Sequence, residues 1–485
     1  MNIGLVMLVV GGVLAASVGV ALGAAQSGLP ALVAFLGLGM LLGSDGPGGI
    51  AFDDAQLARE VGVVALAAIL YEGGLSTSWR RLREVAAPAI SLSTVGVVVT
   101  AAITGAVAYG LFDLSWTKSF LLGAVVASTD AAAVFAVLRG TRLRRRLART
   151  LEAESGANDP VGIALTLGLI AWIEQPDYGV GDLSVLLLQQ LGLGLVFGVA
   201  LGLVAMWIFA RIPASIEAFV PVASVAAAAV AYGAADAAHG SGFLSVYLVG
   251  LAVGSTPSRH RSHLVAFHVG LAYVAQVALF IVLGLLVFPS QLPPVALSGL
   301  ALTAVLIFVA RPVAVWVSTW PLRQFNRPER LLLGWAGLRG AVPIVLGTFV
   351  LSSQVKGANT IFNAVFFVVL VSAALQGTTF EWVAQKLDLL VSFSKAEAPL
   401  EVTRDWHSLN LVEFAVGADH AIAGAAVREL GLPREALIAV LVRGDEAIPP
   451  RGSTRVQPGD VLFILSPDGK GPELEDVFSR WRQRI

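Results

Sequence analysis

The chain contains no cysteine in 485 residues. That absence excludes a disulfide framework, thiolate metal sites and thiol nucleophiles. Charge is scarce too. Asp, Glu, Lys and Arg make up 13% of the chain, against roughly a quarter in soluble domains. The apolar fraction is 56% and the mean hydropathy +0.80, so most of the chain must dissolve in lipid. The net charge of −1 gives no reason to expect nucleic acid. Several catalytic and filter motifs are missing as well. Without H-E-x-x-H or G-x-S-x-G, a membrane hydrolase has little support. Without T-V-G-Y-G, a gated potassium channel lacks its filter.

What the chain has is a series of apolar runs near the length that crosses a bilayer, about 20 residues. They fall at 3–23, 29–43, 58–76, 86–110, 118–138, 150–173, 184–210, 216–236, 243–256, 266–289, 295–319, 330–353 and 361–384. The first run ends near Ala24-Ala25 like a cleavable signal, but no basic residue precedes it, and it reads as a first span. Alternate loops are basic: Arg80, Arg81 and Arg83; Arg139, Arg142, Arg144, Arg145, Arg146 and Arg149; Arg211; Arg259 and Arg261; Arg323, Arg327 and Arg330. The other set is acidic or neutral, with Arg59, Lys118 and Lys356 as its few basic residues. This asymmetry predicts an outside N-terminus and a cytoplasmic C-terminus.

Few ionisable residues fall within the runs, and Glu72, Asp130, Glu154, Asp159, Arg311 and Arg339 stand out among them. A carboxylate inside a membrane is costly and by default marks function. On a helix, Ser155, Asn158 and Asp159 share one face, with Glu154 beside them and Pro160 removing one backbone hydrogen bond. Burial disfavours the charged form of an acid and a bound cation favours it, so Asp159 suits exchange of a proton for a cation. Thr129 and Ser155 offer neutral oxygens of the kind hard cations take. Glu154 and Arg311 are expected to form a buried structural pair. Asp130, in the polar break Ser128-Thr129-Asp130, is expected to neutralise freed helix ends. Glu72 near the end of its run is divided between a site role and an interfacial one. Gly334, Gly337, Gly340 and Pro343 predict an unwound centre in the twelfth run, with Arg339 meeting freed carbonyls.

Four motifs together resemble the NhaP-type monovalent cation/proton antiporters: Ser128-Thr-Asp-Ala-Ala-Ala-Val-Phe135, Glu154-Ser-Gly-Ala-Asn-Asp-Pro160, Ala310-Arg-Pro312 and Gly337-Leu-Arg-Gly-Ala341. The likeness is closest to the potassium/proton branch, also called cell-volume regulation proteins. It implies an all-α polytopic membrane protein of about 13 helices, with inverted repeats and crossed interrupted helices in an NhaA-like fold. It implies a homodimer in a prokaryotic cytoplasmic membrane. It places the ion at Asp159, Thr129 and Ser155, with Asn158 or Glu72 nearby. One titrating carboxylate in Asn158-Asp159 fits electroneutral, one-for-one exchange of K⁺ or Na⁺ for H⁺. A sodium-coupled anion symporter is the remaining rival, and it would favour half-helix N-termini without a central acid.

The character changes near residue 390. A polar linker over 390–408 separates a membrane domain, 1–389, from a small α+β domain, 409–485. The pattern predicts strands at Leu409–Val416, Leu437–Arg443 and Val461–Ser466, and helices at Ala421–Leu430 and Pro472–Arg484. Val427-Arg-Glu-Leu-Gly-Leu-Pro433 and Val456-Gln-Pro-Gly-Asp-Val-Leu462 resemble a TrkA-C (RCK-C) domain. Such domains regulate and take small ligands. This one has no G-x-G-x-x-G to cradle phosphate, and no cofactor is expected.

Overall fold

The structure is a computed structural model. It describes residues 3–130, 143–256, 261–322, 324–390, 409–417, 419–433, 435–443, 446–467 and 471–482. The second half of the expected fifth span (131–138), Arg139, Arg142, Arg259, Arg323 and the linker over 391–408 lie outside the described residues. The chain divides into two compact units, Met1–Leu390 and Val391–Ile485.

The first unit is helical. In chain order it contains α1 (Ile3–Ser27), α2 (Ala31–Leu42), α3 (Ala55–Ser76), α4 (Trp79–Ser91), α5 (Val97–Leu111), α6 (Trp116–Val125), α7 (Arg145–Glu174), α8 (Val180–Phe209) and α9 (Val220–Ala237). Then come α10 (Gly242–Ser255), α11 (Arg261–Leu285), α12 (Pro293–Val305), α13 (Arg311–Thr319), α14 (Arg327–Trp335), α15 (Ala341–Leu351) and α16 (Ala358–Lys386). Two π-helical turns, Leu92–Gly96 and Leu306–Ala310, join α4 to α5 and α12 to α13. Among the described residues, eight helical stretches are long and apolar enough to cross a membrane, and three shorter apolar helices, α2, α10 and α15, accompany them. The unit is therefore a polytopic membrane protein. Its helices must bond their own backbones because lipid offers no partners.

The helices pack in two groups. One comprises α2, α3 and α8–α11. Small residues let its backbones touch, as is usual where no hydrophobic effect drives helices together. Gly39 of α2 lies against Gly284 of α11, and Gly74 of α3 against the α10 backbone at Tyr247 and Gly250. The other group comprises α4–α7 and α12–α16. In it, Ser91 Oγ donates to the Ser318 carbonyl at 2.8 Å, tying the two π-bearing helices together. Pro160 is accommodated inside α7, which runs unbroken for 30 residues.

The second unit carries a four-stranded antiparallel sheet of order β1-β4-β2-β3, with β1 (Leu409–Ala415), β2 (Leu437–Arg443), β3 (Glu446–Ile448) and β4 (Asp460–Pro467). One helix, α17 (Gly471–Arg482), seats Leu474, Val477 and Trp481 in a core with Phe414, Leu441, Leu462 and Ile464. Arg443 donates to both carboxylate oxygens of the fully buried Asp460, each at 2.8 Å. The helix expected at Ala421–Leu430 does not form. Only a three-residue 3-10 turn, Val427–Glu429, appears there. Gly424 takes φ +93°, a left-handed value that ends a helix. The backbone of this segment bonds elsewhere: Ala421 N to the Trp481 carbonyl, Gly424 N to the Val456 carbonyl, and Val456 N to the Ala425 carbonyl. Glu429 accepts from Ala426 N at 3.0 Å, and that bond holds its carboxyl below the usual range.

Candidate functional site

Two chain breaks meet inside the second helix group. After α6 the backbone unwinds, with Ser128–Asp130 free of helix. Between α14 and α15 it unwinds again over Gly337–Gly340. Each break leaves helix-end carbonyls or N–H groups without intrahelical partners. The two breaks supply each other. Asp130 N donates to the Leu338 carbonyl at 3.0 Å. The Asp130 carboxylate accepts from Ala341 N, the first residue of α15, at 2.9 Å. In the other direction, Arg339 donates through Nη1 to the Ala127 and Ser128 carbonyls at 2.6 and 2.8 Å. An anion thus meets the positive end of one half-helix, and a cation meets carbonyls beyond the negative end of another. Gln376 of α16, 1% exposed, donates to the Trp335 carbonyl at the end of α14, 2.8 Å away.

Beside these paired breaks lies α7. Its face bearing Glu154, Ser155, Asn158 and Asp159 is buried, each residue 2% exposed or less. Gly162 lets α7 approach the first break, since a Cβ there would sit 3.1 Å from Ser128 Cβ. Ser128 Oγ donates to Asp159 Oδ1 at 2.5 Å. Asn158 Nδ2 donates to Thr129 Oγ1, and Thr129 Oγ1 lies 3.5 Å from Ser155 Oγ. Asn158 Oδ1 is buried with no hydrogen-bond partner among the described residues. The donors around Asp159 are therefore carboxylate, hydroxyl and amide oxygens, a set that suits hard cations. Among the described residues, no three His, Cys, Asp or Glu side chains gather for a metal. One turn away, Arg311 Nη2 lies 2.5 Å from Glu154 Oε1, with side chains 3% and 1% exposed.

The transmembrane sodium/hydrogen exchanger family matches residues 12–386 of this chain. The chain belongs to that family. A TrkA-C domain matches residues 411–479 of the exchanger. Over 461 residues it is 38% identical to the K(+)/H(+) antiporter NhaP2 of Shewanella baltica (strain OS223), covering 93% of this chain and 79% of that protein. Over 484 residues it is 37% identical to the K(+)/H(+) antiporter NhaP of Alkalimonas amylolytica, covering 98% of this chain and 84% of the relative. Among solved structures, the sodium proton antiporter MjNhaP1 from Methanocaldococcus jannaschii at pH 8 superimposes with a TM-score of 0.71 at 24% identity, covering 81% of this chain and all of that one.

Within the exchanger, Thr129, Ser155, Asn158 and Asp159 come together, as do Asp130, Arg339 and the second break. Glu72 stands differently. It is half-buried near the end of α3 and accepts from Ser76 Oγ, 2.7 Å away on its own helix. Its described bond does not reach the cluster. Two residues of this region are not marked by the sequence pattern. Ser128 stands in the sequence only as part of the break, and Gln376 only as one amide in an apolar run, where a buried amide is costly unless it is hydrogen-bonded.

Gly340 gives a sharp test of the paired breaks. A Cβ there would run into the Asp130 carboxylate, which is itself fixed by Ala341 N. Gly340→Ala is expected to cost about 1–3 kcal/mol through forced displacement, read as a lowered unfolding temperature of the purified protein. An unchanged unfolding temperature would show that the contact between the two breaks yields easily.

Proposed function

We propose that the exchanger is a secondary antiporter that moves K⁺, or Na⁺ in its place, against H⁺ through Asp159. Asp159 holds either a proton or a cation, and only an occupied site crosses. The observation that carries this reading is the contrast between two buried acids on one helix. Glu154 is taken by Arg311, whereas Asp159, 1% exposed, has a neutral hydroxyl, Ser128, as its described hydrogen-bond partner. Among the described residues no cationic side chain pairs with it, and an acid so placed can accept a counter-charge from solution. Thr129, Ser155 and Asn158 offer the neutral oxygens. A single such carboxylate supports one-for-one, electroneutral exchange. Potassium is favoured as cargo by the relatives named for K⁺/H⁺ antiport.

The same reading takes the membrane unit as thirteen spans in two inverted repeats with an NhaA-like fold. The order of irregularities supports it. In each half, a π-bearing helix (α4–α5, α12–α13) is followed by one that gives way to an unwound stretch, α6 before Ser128–Asp130 and α14 before Gly337–Gly340. On this reading the protein is a homodimer in a prokaryotic cytoplasmic membrane, N-terminus outside and C-terminus inside. The second helix group rocks against the first to alternate access, and the TrkA-C unit regulates by binding a small ligand. Proteoliposome exchange with K⁺, Na⁺ and Li⁺ in turn, with a trapped pH dye, tests the function. Cation-driven proton movement that is insensitive to membrane voltage is expected. Proton-independent flux would overturn it.

A further inference from the structure

The two helix groups meet along a seam, and besides Gly168 of α7, which faces Leu183 of α8, three contacts across it fall on glycines. Gly62 of α3 faces Val345 of α15, where a Cβ would lie 3.0 and 3.1 Å from the two methyl carbons. Gly377 of α16 faces Pro30, which a Cβ would strike. The third contact is nearest the site. Gly156 of α7 faces the ring of Tyr247 on α10, and a Cβ at Gly156 would lie 2.8 Å from Cε2 and 3.1 Å from both Cζ and the hydroxyl oxygen. Tyr247 is 5% exposed, and its own carbonyl is pressed against Gly74 of α3. The ring is therefore anchored in the first group while its tip rests on a helix of the second.

The position on α7 matters. Gly156 follows Ser155 directly and precedes Asp159 by three residues, on the side leading to the basic segment Arg144–Arg149. Pro160 removes the N–H that the Gly156 carbonyl would otherwise take, so the helix is less stiff at this turn. If Asp159 travels with the second group, α7 must slide past the Tyr247 ring at its bare glycine.

We propose that Tyr247 is a positioning residue for transport, and that its ring in the notch left by Gly156 is the contact the moving group must clear each time Asp159 changes sides. This rests on the antiport reading above. The contact acts on the rate of the conformational step and not on the binding of the ion. A bulkier notch therefore slows turnover and leaves affinity nearly as it was.

The test is K⁺/H⁺ exchange by the full-length protein in proteoliposomes, with initial rates followed against K⁺ concentration. Gly156→Ala is expected to lower the maximal rate about tenfold, with half-saturating K⁺ shifted less than about twofold. Adding Tyr247→Ala is expected to bring the rate back to within about threefold of Tyr247→Ala alone, because the clash needs both partners. A folded Gly156→Ala protein with the unmodified rate overturns the inference, as does a loss that Tyr247→Ala leaves uncorrected. Should Gly156→Ala not give monodisperse protein, Tyr247→Trp with the glycine intact decides: a slowed rate at unchanged half-saturation supports the contact, and an unmodified rate overturns it. Absence of exchange by the unmodified protein overturns the antiport reading and this inference with it. Exchange by the unmodified protein that Gly156→Ala matches overturns this inference alone.

Discussion

Asp159→Asn is expected to abolish exchange, lowering the rate by at least about 100-fold, while the protein still folds and inserts. Asparagine keeps the shape of the side chain. Its amide oxygen can still accept from Ser128 Oγ, which lies 2.5 Å from Oδ1 in the native site. What it removes is the exchangeable proton and the charge that a cation would meet. It also removes whatever desolvation cost the ionised acid imposes at a position 1% exposed. The variant should therefore unfold at the same temperature as the parent or higher. Dye dequenching in proteoliposomes and thermal unfolding in detergent separate the two effects. Normal exchange by the variant would remove Asp159 from the mechanism.

The second large effect is on stability. Arg311→Ala is expected to cost about 3–5 kcal/mol, because it leaves the Glu154 carboxylate buried without its counter-charge. The native pair is close, 2.5 Å, and both side chains are nearly inaccessible. Its hydrogen bonding is incomplete: among the described residues, both Glu154 oxygens and Arg311 Nε lack a hydrogen-bond partner of good geometry. Arg311 also packs against Gly337 in the second break, where a Cβ would lie 2.8 Å from Arg311 Nε. The charge is thus costly to leave alone yet not irreplaceable. Glu154→Gln combined with Arg311→Met should recover most of the stability that Arg311→Ala loses, since a neutral pair of similar volume carries no stranded charge. Equal unfolding temperatures for Arg311→Ala and the parent would show that water reaches Glu154.

Much of this arrangement is legible in the chain, and the reasons differ by element. The breaks at Ser128–Asp130 and Gly337–Gly340 are readable because polar and glycine-rich turns interrupt otherwise apolar runs. The face of α7 follows from helical spacing alone. The partner of Asp159 is not readable, because which hydroxyl meets it depends on the register of α7 against the first break. The π turns at Leu92–Gly96 and Leu306–Ala310 are not readable, because one extra residue in a single turn is decided by packing and not by the residue types there. Tyr247 reads as one more aromatic in an apolar run, and only the position of Gly156 gives it meaning. At Ala421–Leu430 the amphipathic pattern favours a helix, but backbone bonds to Val456 and Trp481 hold another path. Tertiary pairing there outweighs local propensity.

The most direct test follows protons and not flux. Titrating K⁺ into the purified protein in weakly buffered detergent, at a pH where cation and proton compete, should release protons in proportion to the cation bound, about one for one at saturation from the protonated site. The same titration of Asp159→Asn should release none. Cation binding that releases no proton from the native protein, or the same release from the variant, would contradict the claim that one buried acid serves both ions in turn.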